Sequence, residues 1–332
     1  MTKLTRRILF YGFFLLFIIV VPAVILWSLG LRFDFKKRKI VTVGAIYLKT
    51  SQRDFQLLLN DKIEHKTSFF SNSILISGLF PKNWNVKVEK NGFEAWSKTL
   101  RVEPKLVTEA TSIFLIPKNI KSELVLENQK NLSAIISAEI KIKKNEYAID
   151  ETGIVWKIEG LDSKKTAINA LPIAKESIKN AEILETSGSI FILTKEELLL
   201  EKKREEQNFK EINRDVKKII PSSKNEKFLI LKEKEIWVLW PEETLAQPPR
   251  KKDEKELIGR YSEKIDDAVW YAKTDEHVIF SVNGKIKIAE LDGRDNRNTY
   301  DIADKPAKKL FYDLRSKKLY FLNEQNIFAI EI

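Results

Sequence analysis

The sequence predicts an all-β protein behind one N-terminal transmembrane helix. Residues 8–31 form a run of 24 residues without a charged side chain. Residues 43–117 alternate apolar and polar side chains in short runs that end at turn-forming residues, and residues 118–332 repeat one pattern of apolar runs five times. A composition of 43% hydrophobic and 10% aromatic residues supplies enough apolar side chains for packed cores and excludes wholesale disorder.

The net charge of +11 lies mostly at the N-terminal end of the chain. Residues 1–39 hold eight lysines and arginines against one acid, Asp34, which makes +7 and leaves +4 for the other 293 residues. A nucleic-acid binder would carry a basic face on its folded part, so this distribution argues against nucleic acid as a partner. The chain has no cysteine and two histidines, which excludes disulfides, thiolate metal sites and a thiol nucleophile.

Residues 8–31 are predicted to cross a lipid bilayer. At 1.5 Å per residue a helix of this length spans about 36 Å, and the hydrocarbon core of a bilayer is about 30 Å thick. Tyr11 and Trp27 stand near its two ends, where aromatic rings favour the membrane interface, and Pro22 is tolerated inside a spanning helix. Two alternatives stay open: a signal peptide cleaved near residues 28–30, and a helix buried in a soluble core.

The flanks of this segment define the expected topology. Residues 1–7 are predicted to be a short cytoplasmic tail and residues 32–42 a basic juxtamembrane linker. Three lysines and arginines precede the span and five follow it within residues 32–39, so the count alone slightly favours the carboxyl side in the cytoplasm without settling the orientation. We expect the N-terminus in the cytoplasm and the chain beyond residue 32 outside it, because a long folded domain is translocated largely regardless of its charge.

Residues 43–117 are predicted to form a small antiparallel β-domain. A break is expected at residues 78–81, and Asn91-Gly92 predicts a type I′ hairpin turn, in which both central residues have positive φ. Trp84, Val86 and Val88 share one face of their strand. The predicted strands are 43–49, 55–59, 73–76, 84–90, 93–102 and 107–115.

This region resembles a known family. The segment WNVKVEKNGFEAWSKTLRVEP, residues 84–104, followed by a strand that ends at residues 115–117, is similar to a PEGA domain. Residues 86–88, 91–93 and 99–102 and Trp96 carry most of the likeness, and residues 30–34 resemble membrane-anchored members. The sequence departs from the family around residues 51–55, and at Lys82, where a glycine is typical. The resemblance implies a β-sandwich over residues 43–117, in a bacterial membrane-attached or surface protein, without known catalytic residues.

A repeat of about 40 residues runs through residues 118–332. Apolar cores begin at residues 146, 190, 227, 277 and 318, so their spacings are 44, 37, 50 and 41 residues. A second apolar run begins 7 or 8 residues after each core, and a more polar strand follows each pair except the last. A further strand is predicted before each pair, at residues 135–140, 181–184, 217–220, 268–271 and 309–312.

Four strands per repeat at this period are typical of the blades of a β-propeller. The last repeat lacks its fourth strand, while a spare strand, residues 123–126, precedes the first repeat. The spare strand is therefore predicted to complete the last blade and to close a five-bladed propeller over residues 118–332. The pattern resembles the WD-like propellers of bacterial exported proteins. A β-sandwich and an incomplete or open propeller are the alternatives.

No residue is predicted to be catalytic, to bind a cofactor or to hold a metal. His65 and His277 are 212 residues apart, and no zinc-protease, phosphate-loop, dinucleotide or nucleophile-elbow motif occurs. Asp266-Asp267 is predicted to lie in a loop before a blade strand. Residues 292–296 lack the spacing of a calcium loop and are predicted to be a turn.

Two polar stretches interrupt the repeats. Residues 201–207 are predicted to be a solvated hairpin, and residues 242–256 a mobile loop on one rim that could contact a partner. Four tryptophans are predicted to lie in strands and to pack between blades, at positions 156, 237, 240 and 270.

These observations favour a non-catalytic, membrane-anchored binding or scaffold protein of the bacterial cell envelope. Residues 8–31 would hold it in the lipid bilayer, and the propeller would present a rim to an envelope protein or a cell-wall glycan, with no small-molecule cofactor. One alternative is a propeller-based glycan-active enzyme, which would need at least two carboxylates and an arginine or tyrosine converging at the channel mouth. A nucleic-acid binder is the second alternative.

Overall fold

The computed structural model describes residues 2–35, 37–132, 135, 147–159, 164–174, 182–186 and 188–332. Within these residues the chain has one α-helix and 28 β-strands, so the predicted all-β protein behind a single N-terminal helix is confirmed. The chain divides into two compact units, Met1–Leu115 and Ile116–Ile332.

The helix α1 spans Lys3–Ser28 and buries none of its side chains. Thr2 caps its N-terminus, where the Thr2 hydroxyl accepts a hydrogen bond from the Thr5 N–H at 3.2 Å. Twenty-six residues give a length of about 39 Å, so α1 is long and apolar enough to cross a membrane. A signal sequence would meet the same criteria of length and composition.

A β-hairpin follows the helix directly. Strand β1 (Leu31–Asp34) pairs antiparallel with strand β2 (Lys39–Thr42), with Leu31 opposite Thr42 and Asp34 opposite Lys39. The linker that the sequence predicts at residues 32–42 is thus a folded hairpin.

The rest of the first unit is a two-layer β-module. Val86, Val88 and Trp96 of one sheet pack on Ile46 and Leu48 of the other, and all five are buried. The first sheet has the strand order β6-β3-β9 and the second β5-β4-β7-β8. The strands are β3 (Gly44–Thr50), β4 (Gln56–Leu59), β5 (Lys62–Lys66), β6 (Ser73–Leu79), β7 (Asn83–Glu89), β8 (Trp96–Arg101) and β9 (Val107–Ile113).

Three local expectations for this module are wrong. β3 and β9 pair in parallel, with Ala45 opposite Val107, so the module is not wholly antiparallel. The turn at Asn91-Gly92 has positive φ at Gly92 alone, with the Phe93 N–H bonded to the Lys90 carbonyl, and this excludes a type I′ turn. The break expected at residues 78–81 is wrong for its first two residues, because β6 runs through Gly78, where glycine tolerates the φ of +78°, and ends at Leu79.

The second unit is built from five β-sheets in chain order, which we number as blades 1 to 5. Blade 1 has the order β11-β12-β13, blades 2, 3 and 4 the orders β14-β15-β16-β17, β18-β19-β20-β21 and β22-β23-β24-β25, and blade 5 the order β10-β28-β27-β26. All pairs within a blade are antiparallel. These strands are β10 (Glu123–Leu126), β11 (Tyr147–Ile149), β12 (Val155–Glu159), β13 (Lys164–Ala167), β14 (Glu182–Glu185), β15 (Ser189–Leu193), β16 (Leu199–Lys203), β17 (Lys210–Asn213), β18 (Val216–Pro221), β19 (Phe228–Lys232), β20 (Glu235–Trp240), β21 (Glu254–Arg260), β22 (Ile265–Trp270), β23 (His277–Val282), β24 (Lys285–Glu290), β25 (Thr299–Ala303), β26 (Lys309–Asp313), β27 (Lys318–Asn323) and β28 (Asn326–Glu331).

The spare strand predicted at residues 123–126 is β10, and it completes blade 5 as expected. Glu123 lies opposite Ala329 and Leu124 opposite Phe328 in β28. Leu132 and Ile135, which follow β10, pack against Leu322 and Ile327 of the same blade. The chain before the repeats is therefore held to the last blade by both backbone pairing and side-chain packing.

Neighbouring blades pack face to face through apolar cores. Phe191 of blade 2 meets Phe228 of blade 3 at a ring distance of 4.8 Å, and Trp240 of blade 3 shares a core with Trp270 and Val278 of blade 4. The four tryptophans that the sequence places in blade strands lie in β12, β20 and β22, as predicted. Most of the first strand predicted for blade 1, residues 136–140, and residue 181 of the strand predicted for blade 2 lie outside the described residues.

Candidate binding face of the propeller

The two ends of the blades carry loops of different length. Two-residue turns join the second and third strands of blades 3, 4 and 5, at residues 233–234, 283–284 and 324–325. We call this end the short-turn face. The opposite end, the long-loop face, carries six-residue connections before β19 and β23, thirteen residues between β20 and β21, and eight between β24 and β25. Long loops on a rigid scaffold are where binding residues concentrate.

The longest of these loops, residues 241–253, is held by Arg250. The Arg250 side chain is 11% exposed, and its guanidinium lies over the Trp240 ring at 4.4 Å. It also pairs with Glu254 at 3.0 Å and with Glu256 at 2.6 Å. Backbone hydrogen bonds of 2.9 and 3.0 Å join Arg250 to Thr244 across the loop.

The loop is therefore anchored at its base and open at its tip. The mobile loop that the sequence predicts at residues 242–256 is wrong for its C-terminal part, because Glu254 and Glu256 belong to β21 and their carboxylates hold Arg250. Leu245, at the tip, is 85% exposed. An exposed leucine on an anchored loop is available to a partner without a large loss of backbone entropy.

The same network continues into blade 4. Arg297, in the connection between β24 and β25, pairs with the second oxygen of Glu256 at 2.5 Å and donates to the Glu290 carbonyl at 2.6 Å. Arg250 in turn donates to the Leu291 carbonyl at 3.4 Å. Both oxygens of Glu256 thus face guanidinium groups. Glu256 therefore links the loop of blade 3 to the connection between β24 and β25 of blade 4.

A second polar contact joins the six-residue loops of blades 3 and 4. The Ser223 N–H donates to an Asp275 carboxylate oxygen at 2.9 Å, and the Ser223 hydroxyl contacts the same oxygen. Lys227, whose side chain is 10% exposed, donates to the Asp275 carbonyl at 2.8 Å and pairs with Glu276 at 2.5 Å. The charges here are again compensated between neighbouring blades.

Blades 2 and 3 meet through a third set of charged side chains, from β16 and from residues 253–255. Glu201 in β16 is buried, so the solvated hairpin predicted at residues 201–207 is wrong for this residue. Burial raises the pKa of Glu201, although Ser189 donates a hydrogen bond that opposes the shift. Burial lowers the pKa of Lys255, and Lys203 pairs with Asp253, which raises the pKa of Lys203. Burial between blades 2 and 3 thus shifts the pKa of Glu201 and of Lys255, and the contact with Asp253 shifts the pKa of Lys203.

Asp267 links the first strands of three blades. It is 1% exposed in β22 of blade 4, accepts from the Lys218 ammonium of blade 3 at 2.9 Å and accepts from the Leu310 N–H of blade 5 at 3.0 Å. The expectation that Asp266-Asp267 lies in a loop is wrong. The pairing of β22 with β23 shifts register between Ile265 and Asp267, and this bulge brings Asp267 into the interior.

The remaining polar candidates occupy structural positions. His277 is buried at the start of β23, and its ring meets the edge of Tyr271, which in turn meets Tyr312 of blade 5 at 5.0 Å. Burial raises the pKa of both tyrosines. Arg294 pairs with Asp292 at 2.6 Å in the connection predicted to be a turn. Among the described residues no cluster of three histidines or acids could hold a metal ion.

Comparison with known proteins gives structural similarities only. No family model matches the chain, and no curated protein matches it. The β-propeller domain of Cps50 (Swd1) from Myceliophteria thermophila aligns over 75% of this chain and 79% of its own, at 12% identity and a TM-score of 0.38. Hsv2 from Kluyveromyces lactis aligns over 85% and 71%, at 10% identity and a TM-score of 0.38.

A bacterial extracellular domain is also similar. This domain, described as part of a one component system of B. thetaiotaomicron, aligns over 56% of this chain at 8% identity and a TM-score of 0.37. The alignment spans about a quarter of that protein, 26% of its length. These similarities are weak, and the propeller architecture rests on the strand order of the chain itself.

Proposed function

We propose that this chain is a membrane-anchored, non-catalytic binding or scaffold protein of the bacterial cell envelope. The observation that carries the proposal is the long-loop face of the propeller. Arg250 and Arg297 are held by acids of blade 3, and the longest loop is anchored while presenting the exposed Leu245 at its tip. Such a face is suited to holding a partner rather than to acid–base chemistry.

The N-terminal helix supplies the second part of the proposal. α1 would be an uncleaved anchor with its N-terminus in the cytoplasm. The β-module and the propeller would then lie outside the cytoplasm. The β-module would be PEGA-like and would act as a spacer or wall contact, and the blades would be WD-like. The partner of the long-loop face would be an envelope protein or a cell-wall glycan.

Anchoring and orientation can be tested with one engineered thiol, because the native chain has no cysteine. The full-length Leu245→Cys variant is exposed to a membrane-impermeant maleimide in intact and in lysed cells. We expect complete labelling in intact cells, retention of the protein in membranes after alkaline carbonate washing, and an intact N-terminus by mass spectrometry. Labelling that requires lysis contradicts the orientation, and a mature protein that begins after residue 28 contradicts the anchor.

The binding face can be tested with a photo-crosslinking amino acid placed at two positions of blade 3. Leu245 lies on the long-loop face, and Lys234 lies in the exposed turn of the short-turn face. We expect crosslinks to one dominant envelope component from position 245 and few from position 234. Equal yields at the two positions, or none at position 245, contradict the assignment of the binding face.

A further inference from the structure

The hairpin of β1 and β2 begins immediately after the apolar helix and is fixed to its end. The Gly30 N–H bonds to the Trp27 carbonyl, and the Val43 N–H bonds to the Gly30 carbonyl at 2.9 Å, which closes the base of the hairpin. Arg32 donates to the Trp27 carbonyl at 3.2 Å, and its guanidinium lies over the Trp27 ring at 4.0 Å. The hairpin therefore has a defined position at the end of the helix.

The two faces of this hairpin differ in chemistry. The pairing places Leu31, Phe33, Ile40 and Thr42 on one face, where Phe33 is 47% and Ile40 is 56% exposed. Phe35, in the turn, is 84% exposed and packs edge-on against Phe33 at 5.0 Å. A two-stranded hairpin with an uncovered apolar face is marginally stable in water, so this face requires an apolar surrounding.

The turn of the hairpin is strongly basic. Four consecutive residues, 36–39, are lysine or arginine, and the nearest acid is Asp34. Lys37, Arg38 and Lys39 are exposed. A cluster of four lysines and arginines beside a membrane span is attracted to acidic lipid headgroups, and exposed aromatic rings at the same depth enter the boundary between headgroups and acyl chains.

We infer that the hairpin Leu31–Thr42 docks on the bilayer surface and binds acidic phospholipid headgroups through Lys37, Arg38 and Lys39, with Phe33, Phe35 and Ile40 inserted below them. The inference rests on the proposed anchoring of α1. The occupant is the bilayer because the face begins three residues after the last residue of a helix long enough to span it. Docking at this place would fix the angle at which the β-module leaves the membrane.

The first unit also offers a matched control. Phe69 and Phe70 form another exposed edge-on aromatic pair, at 71% and 84% exposure. They lie beside the far end of β3, where Lys49 pairs with Ser73, whereas the hairpin joins the near end of β3 at Gly44. Seven residues of strand separate the two ends, which is about 20 Å. Phe70 thus matches Phe35 in exposure but not in position.

The test uses full-length protein reconstituted in vesicles of phosphatidylcholine with phosphatidylglycerol. A nitroxide label is attached at Phe35→Cys or, as the control, at Phe70→Cys, and its access to oxygen and to a water-soluble nickel chelate is measured. We expect the chelate to reach position 35 about tenfold less than position 70. The charge variant Lys36→Gln, Lys37→Gln, Arg38→Gln, Lys39→Gln, or vesicles of phosphatidylcholine alone, should remove most of this protection.

Three outcomes would overturn the inference. The chelate could reach position 35 as readily as position 70 in vesicles that retain the protein. The protection could be the same in both lipid compositions, which would remove the headgroup contact. Spin–spin broadening at position 35 that disappears on dilution with unlabelled protein would identify a second copy of the chain as the occupant. Loss of the protein from the vesicles after alkaline washing would instead refute the proposed anchor.

Discussion

Asp267 gives the sharpest test of how the blades are held together. The Asp267→Ala variant leaves the Leu310 N–H buried without its acceptor, which costs about 1–3 kcal/mol. It also removes the ion pair with Lys218, a contribution that we discount to about 1 kcal/mol because the Lys218 side chain is 34% exposed. We therefore expect a loss of about 3 kcal/mol in the free energy of unfolding, or about 6–12 °C in Tm for a unit of this size.

The assay is thermal and urea unfolding of the full-length protein in detergent, with hydrogen exchange of the peptides that contain β18, β22 and β26. The Lys217→Met variant is the matched control, because Lys217 neighbours Lys218 and makes an exposed pair with Glu197. It should leave the free energy of unfolding nearly unchanged, because solvent screens an exposed ion pair. Asp267→Asn should fall between the two, because an amide oxygen can still accept from Leu310. An Asp267→Ala protein no less stable than Lys217→Met would refute the reasoning.

Three further predictions concern other parts of the chain. Burial raises the pKa of Glu201, so the folded state loses stability as pH rises above about 4.5, and Glu201→Gln should raise Tm at pH 8 but not at pH 4 in scanning fluorimetry. Arg250→Ala should free the loop at residues 241–253 and speed its tryptic cleavage about tenfold, a change of about 1.4 kcal/mol in local opening. Gly44→Ala should cost several kcal/mol in urea unfolding, because its Cβ would lie 2.2 Å from the Glu103 carbonyl oxygen, whereas Gly92→Ala should cost about 1–2 kcal/mol from positive φ alone.

Each of these predictions has a result that would contradict it. A gain in Tm for Glu201→Gln that is equal at both pH values would mean that packing rather than ionisation sets its effect. The Arg250→Lys variant should be cleaved faster than wild type, because an ammonium cannot pair with two carboxylates in the planar geometry of a guanidinium. Full protection by lysine would refute that account. Equal costs at Gly44 and Gly92 would refute the steric argument.

The propeller could be predicted from the sequence because its signals are repeated and mutually constrained. Each blade carries the same spacing between apolar runs, so one ambiguous strand is supported by four others. The role of β10 followed from the fifth blade's missing strand and the spare strand at residues 123–126, since both are explained by one pairing. The β-module gave weaker signals. Alternation of apolar and polar residues identifies strands but not their partners, so it could not predict the parallel pairing of β3 with β9.

The polar links between blades could not be predicted, for a physical reason that Asp267 illustrates. In a regular strand every second side chain lies on the same face of the sheet, so the sequence position predicts the face. A bulge adds one residue, and the side chains after it lie on the face opposite to the predicted one. The shift at Ile265–Asp267 turns a carboxylate that looks like a loop residue into a buried link between blades. The burial of Glu201 was not predicted for another reason. A run of mixed charges indicates solvent exposure, whereas blade 3 covers part of this run.

The distribution of paired charges connects the two proposals. On the long-loop face Arg250 pairs with Glu256 inside blade 3, and Arg297 and Lys227 pair with acids of the neighbouring blade. Residues 1–39 instead hold eight basic residues and one acid. Charges compensated inside the fold serve its rigidity, whereas a basic excess of eight to one attracts anions from its surroundings. With α1 in a bilayer, as proposed, the nearest anions to the hairpin would be lipid headgroups, so the excess charge near the helix and the docked hairpin belong to one proposal.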